Sequence, residues 1–170
     1  NRAVENAYKG VDVSLSDAYA KANDAVKNQL ASFFANADTA NPRLTFQVSD
    51  ASIETDITAQ LVQINAELST WQTELTTVSG ATDALVLDIA LSHADKHLEH
   101  IRAFLTLAGR AASANTGLST LTAGALRTSA NSGLSEVNAA VSLITGVEQT
   151  IRGAKANLEQ AKAALDLTKH

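Results

Sequence analysis

An apolar residue at every third or fourth position, kept up almost from one end to the other, constrains this chain more than any other feature. Val4, Tyr8, Val11, Leu15, Ala18, Ala22, Val26, Leu30 and Phe33 recur at 4-3-4-3 spacing. That period follows the turn of an α-helix and draws one narrow stripe along it, so it predicts a helix over 2–37. The clearest interruption is NADTANPRLTFQVSD, which holds Pro42, the only proline. Inside it Leu44, Phe46 and Val48 alternate, which predicts a short extended segment packed across the end of the helices.

Three more stripes follow. Ser49 and Asp50 are N-cap residues, and Ile53, Ile57, Leu61, Ile64, Leu68, Trp71, Leu75 and Val78 predict a helix over 50–78. Ser79-Gly80 stops it. Thr82 or Asp83 caps the next, over 83–112, whose stripe of Leu87, Leu91, Ala94, Leu98, Ile101, Leu105 and Ala108 is nearly a strict heptad. Gly109 and SANTGLS close it. The last helix covers 119–169, with Leu134, Val137, Val141, Ile144, Ile151, Leu158, Ala161 and Leu165 on its apolar side.

Four helices joined by short or medium loops predict an all-α fold, an elongated antiparallel up-down four-helix bundle forming a single domain over 1–170. Apolar residues reach 45% of the chain while aromatics are only 4%. Much of that apolar content is alanine, which suits slender, closely packed helices. The middle helices come to about 45 Å and the last to about 75 Å. The first and last helices are therefore expected to run on together as a two-stranded coiled-coil stalk. Four glycines interrupt the last helix, Gly124, Gly133, Gly146 and Gly153, each costing about 1 kcal/mol relative to alanine. Close approach of neighbouring backbones and tolerated defects are the two accounts of them.

Charge and composition narrow the function. A net charge of −5 with scattered basic residues leaves no electrostatic footprint for nucleic acid. No apolar run approaches the ~18–20 residues that span a bilayer, so no direct membrane insertion is expected. There is no cysteine for disulfide or thiol chemistry and no methionine even at the start. The chain reads as a piece excised or processed from a larger protein.

The stretch SHADKHLEH places His93, His97 and His100 at i, i+4 and i+7. At 100° per residue all three line one ridge beside the apolar stripe, with His97 nearest the core. Histidines at i and i+4 can chelate zinc, so these three are the candidate metal ligands. A third or fourth ligand from another element is not marked, and no Glu-x-x-His of the di-iron kind occurs. The competing reading is a flanking polar ridge, or a pH-sensitive contact. No phosphate loop and no Gly-x-Ser-x-Gly elbow is present. The expectation is no enzyme and no cofactor.

Two stretches resemble a known family. IRGAKANLEQAKAALDLTKH, at the end, resembles the returning arm of the α-helical hairpin in HlyD-type membrane-fusion proteins, the periplasmic adaptor subunits of efflux and type I secretion systems. SLSDAYAKANDAVKNQLASFFANADTANPRLTFQVSDASIETDI is similar to a helical segment inside the hairpin of some adaptor-like bacterial proteins, through Ala18-Tyr19, Phe33-Phe34, Asn41-Pro42, Leu44-Thr45-Phe46 and the later Trp71. The resemblance touches about a third of the chain. It implies a non-catalytic structural and interaction domain on the extracytoplasmic side of the cell envelope, anchored through parts outside this chain. Its partners would be proteins: transporter or channel components, or further copies of itself. Pro42, Phe46, Asn115 and Leu118, near the far loops, become the candidate contact residues. The alternative is the extracytoplasmic ligand-sensing module of a chemoreceptor or sensor kinase, for which Arg102, Arg110 and Arg127 lie near one end without a spacing that joins them. A structural spacer in a surface or appendage protein is a third class.

Overall fold

The computed structural model describes residues 2–168. It is all-α in class, helical over most of that length, with two small strand pairs. The elements in order are α1 (Arg2–Tyr8), α2 (Val11–Asp24), a π-helical turn (Ala25–Gln29), β1 (Phe34–Ala35), β2 (Arg43–Leu44), β3 (Gln47–Val48), α3 (Ala51–Val78), α4 (Ala84–Ser113), β4 (Asn115–Thr116) and α5 (Thr120–Leu167).

The later helices start where their caps dictate. Asp50 accepts from the Ser52 amide at 2.9 Å, Asp83 from Leu85 at 2.8 Å, and the Ser119 hydroxyl from Thr122 at 3.1 Å. Each satisfies an N–H that the first turn leaves without a partner. Between the two possible caps of α4, Asp83 takes the role. The predicted end of the last helix at 169 lies outside the described residues.

The first predicted helix is corrected in two places. It is not continuous from 2 to 37, because Gly10 adopts a left-handed φ of 81° that breaks α1 from α2. It also ends early, in the π-helical turn, and Phe33 and Phe34 lie beyond it. A helix would bring only one of two adjacent aromatic rings into the core. The passage from a turn at Phe33 into β1 at Phe34 buries both: Phe33 packs edge-to-face on Phe46 at 5.6 Å, and Phe34 stacks on Phe104 at 6.2 Å.

The extended segment behaves as its alternation predicts. Phe46 is buried, Leu44 and Val48 are half-buried, and Thr45 and Gln47 face out. β1 pairs antiparallel with β2, and β3 pairs antiparallel with β4 across the turn that joins α4 to α5. The Ser49 amide donates to the Ala114 carbonyl at 2.9 Å, extending that pairing by one bond.

The core runs along the helices from Tyr8 to Ile151. α5 packs against α4, α2 and α1, and α3 packs against α4 and α2. Of the four glycines in α5, only Gly133 marks a close approach. A Cβ there would sit 3.0 Å from Leu105 Cδ2 and 3.2 Å from the Ala25 carbonyl oxygen, at the start of the π-helical turn. The other three have open space around them. Burial of α5 reaches Ile151, and beyond it the helix is mostly exposed.

One polar clamp ties the pole where the first and last described residues lie. The Tyr8 hydroxyl donates to Asp88 Oδ1 at 2.6 Å, and Lys155 Nζ donates to Asp88 Oδ2 at 2.8 Å while lying 5.4 Å from the Tyr8 ring centre. Burial pushes the Asp88 carboxyl up, but the two donors and the ammonium charge outweigh it and hold it below its ordinary value. The hydrogen bond to Asp88 raises Lys155 in turn.

Candidate functional site

The three histidines do not stand alone. They face α3, which runs antiparallel to α4 and presents Glu67, Trp71 and Glu74 at the same i, i+4, i+7 spacing. Glu67 Oε1 lies 2.8 Å from His97 Nδ1 and 2.9 Å from His100 Nδ1. Glu74 lies 3.0 Å from His97 Nε2 through Oε2 and 3.1 Å from His93 Nδ1 through Oε1. His97 is the central rung of this ladder, with both ring nitrogens engaged. Its ring stacks on the Trp71 indole at 5.1 Å and 24°, and Tyr19 of α2 meets the indole edge-on at 5.5 Å.

Burial grades the rungs. The His97 side chain is 11% exposed, against 45% for His93 and 62% for His100. The sequence places His97 nearest the core, and it is buried there. Among the described residues no group of three His, Asp or Glu donors is arranged to hold a metal ion. What His93, His97 and His100 form instead is a hydrogen-bonded tie between two helices.

Glu67 and Glu74 are the site residues that sequence reasoning missed. The signal was present: two antiparallel helices joined by a short turn each carry a polar-or-aromatic triplet at i, i+4, i+7. Matching the triplets requires the register of the seam, which no single stripe contains.

Two further seams carry paired carboxyls. Burial and the nearby Asp24 raise Glu136, whose Oε1 accepts from Gln29 at 2.9 Å while Oε2 is buried with no hydrogen-bond partner among the described residues. Burial and the neighbouring Asp95 raise Glu148, against the opposing pull of Arg152.

At the far pole the expected contact residues divide. Pro42 is buried, and Phe46 is 7% exposed with its ring against Phe33, within the core. Asn115 and Leu118 are half-buried, and Asn115 donates to the Ala112 carbonyl. Near this pole Arg110 and Arg127 line one open cleft of about 610 Å³ with Asn131, Ile53 and Leu134; Arg102 is not among its walls. Arg110 occupies the last turn of α4, where a cation complements the carbonyl end of the helix, and its charge also favours the Asp50 carboxylate.

No protein-family model, curated protein or solved structure matches this chain. Among the described residues no helix is long and apolar enough to cross a membrane.

Proposed function

We propose that this chain is a non-catalytic structural and interaction domain of an extracytoplasmic adaptor subunit of the HlyD type, serving an efflux or secretion transporter. In this reading it is an up-down four-helix bundle whose first and last helices continue as a two-stranded stalk. The observation that carries the reading is the far end of α5. The helix is packed as far as Ile151, yet its apolar spacing continues through Leu158, Ala161 and Leu165, and Leu165 is 56% exposed. A helix keeps a seam beyond its own partners when something else covers it. Leu85, Val86 and Ile89, exposed at the start of α4 near the Tyr8–Asp88–Lys155 clamp, add apolar surface at the same pole. Transporter components or further copies of the chain are the partners this surface suits.

Small-angle scattering of the chain tests the shape. A monomer with a longest dimension of about 75 Å or more supports the stalk, from about 1.5 Å per residue along α5; a compact particle removes it. Leu158→Gln with Leu165→Gln, placed in the intact subunit, is expected to weaken co-purification with the transporter while leaving the isolated domain folded. Unchanged co-purification would count against this face as the contact. The cleft carrying Arg110 and Arg127 favours the second reading, a ligand-sensing module. Loss of export on deleting the domain separates an adaptor from a sensor, whose deletion leaves export intact.

A further inference from the structure

We propose that the ladder of Glu67, His97 and Glu74 is a proton-operated latch between α3 and α4. The number of protons the ladder holds sets its behaviour, whatever the chain's role in an adaptor. Four nitrogen–oxygen contacts of 2.8–3.1 Å join the three imidazoles to the two carboxylates. An ionised carboxylate only accepts, and a neutral imidazole carries one N–H. His93 and His100 each supply the proton for their own contact through Nδ1. His97 must supply two, one to each glutamate, and a neutral ring has one.

With His97 neutral, one of its two contacts sets a ring lone pair against a carboxylate lone pair at about 3 Å, which repels. One additional proton, taken from solvent, converts that contact into a charge-assisted hydrogen bond and completes the ladder. The groups facing His97 agree in sign. From α3 come the two carboxylates and the Trp71 face, which attracts a cation. From α2 comes Tyr19, held behind the indole. On α4 itself His93 and His100 bond the same glutamates. No lysine or arginine is paired with either glutamate among the described residues. The seam is therefore tightest while the ladder holds its fourth proton, and it loosens as that proton leaves with rising pH.

Trp71, the only tryptophan, reports on the latch directly because it stacks on the His97 ring. The test is urea unfolding followed by its emission, at pH 5.5 and pH 8.0, for the unsubstituted chain, His97→Gln and Glu74→Gln. For the unsubstituted chain, the unfolding constant measured relative to His97→Gln is expected to rise about tenfold between pH 5.5 and pH 8.0, the scale of one charge-assisted hydrogen bond. Glu74→Gln is the sharper variant, since it keeps the shape and the Trp71 stack. Its amide can donate to Nε2 of a neutral His97 while its carbonyl accepts from His93, so all four contacts close without the extra proton. That variant is expected to lose the pH dependence and to be more stable than the unsubstituted chain at pH 8.0. Equal pH dependence in the unsubstituted chain and Glu74→Gln would overturn the latch, as would a gap to His97→Gln that is the same at both pH values.

Discussion

The seam between α3 and α4 and the pole that joins α1, α4 and α5 are held by the same kind of device, a small polar network around an aromatic ring. At the pole one carboxylate, Asp88, receives two donors, the Tyr8 hydroxyl and the Lys155 ammonium. In the seam two carboxylates receive three imidazoles. The distances are alike, while the Lys155–Asp88 pair is the more exposed of the two. The difference lies in the donors. Lys155 is raised by its bond to Asp88, Tyr8 is raised by burial and by Asp88, and Asp88 is lowered. The clamp therefore keeps one charge state across the neutral range. In the seam the donors are imidazoles, which carry one N–H when neutral and two when protonated. The two ties differ in which groups donate as well as in how deeply they sit.

The largest expected effect comes from removing the platform beneath the ladder. Trp71→Ala deletes a fully buried ring and is expected to cost about 3–5 kcal/mol at pH 5.5 and at pH 8.0 alike. A loss below about 1 kcal/mol in a urea titration would mean that the seam does not depend on the indole.

Next is the clamp. Asp88→Asn leaves Lys155 without its anion, and with both side chains over a third exposed the expected cost is about 1 kcal/mol. Because the folded carboxyl lies below its ordinary value, its contribution is full above the unfolded carboxylate range and fades as pH falls through the folded one. The gap between this variant and the unsubstituted chain should be flat from pH 5.5 to 8.0. A gap that changes over that interval would erase the contrast with the ladder.

Glu136→Gln is smaller and opposite in sign. Burial and Asp24 raise this carboxyl, so its contribution is most favourable when protonated and worsens as pH rises through the folded value. The neutral amide should stabilise the chain by a few tenths to about 1 kcal/mol at pH 7, with the gain vanishing near pH 4. Thermal unfolding at the two pH values decides it. The smallest effect belongs to the outer rung: His100→Gln, at a largely exposed position, is expected to cost no more than about 0.5 kcal/mol.

Much of the architecture is legible in the residues. The stripes predict α3, α4 and α5 to within a residue or two of their observed starts, because a cap and an apolar period are both local properties. The first helix was overextended for a reason the stripe conceals. Phe33 keeps the 4-3 rhythm even though the chain has already left the helix, and only the burial of Phe34 against Phe104 and of Phe46 against Phe33 shows what the aromatic pair does. Gly10, in the middle of the same rhythm, breaks the helix through its own backbone angle.

The site was half legible. The helical period alone puts His93, His97 and His100 on one ridge with His97 innermost, since 100° per residue is a property of any α-helix. It does not say what the ridge meets. Glu67 and Glu74 become partners only once the turn at Ser79–Asp83 sets the register of α3 against α4. Similarly, the alternation of Leu44, Phe46 and Val48 predicts a packed extended segment without saying that the Phe46 ring meets Phe33. Periodicity is written within a few residues and survives in the sequence; the pairing of faces depends on loop geometry and on packing between residues far apart in the chain, and only the tertiary structure decides it.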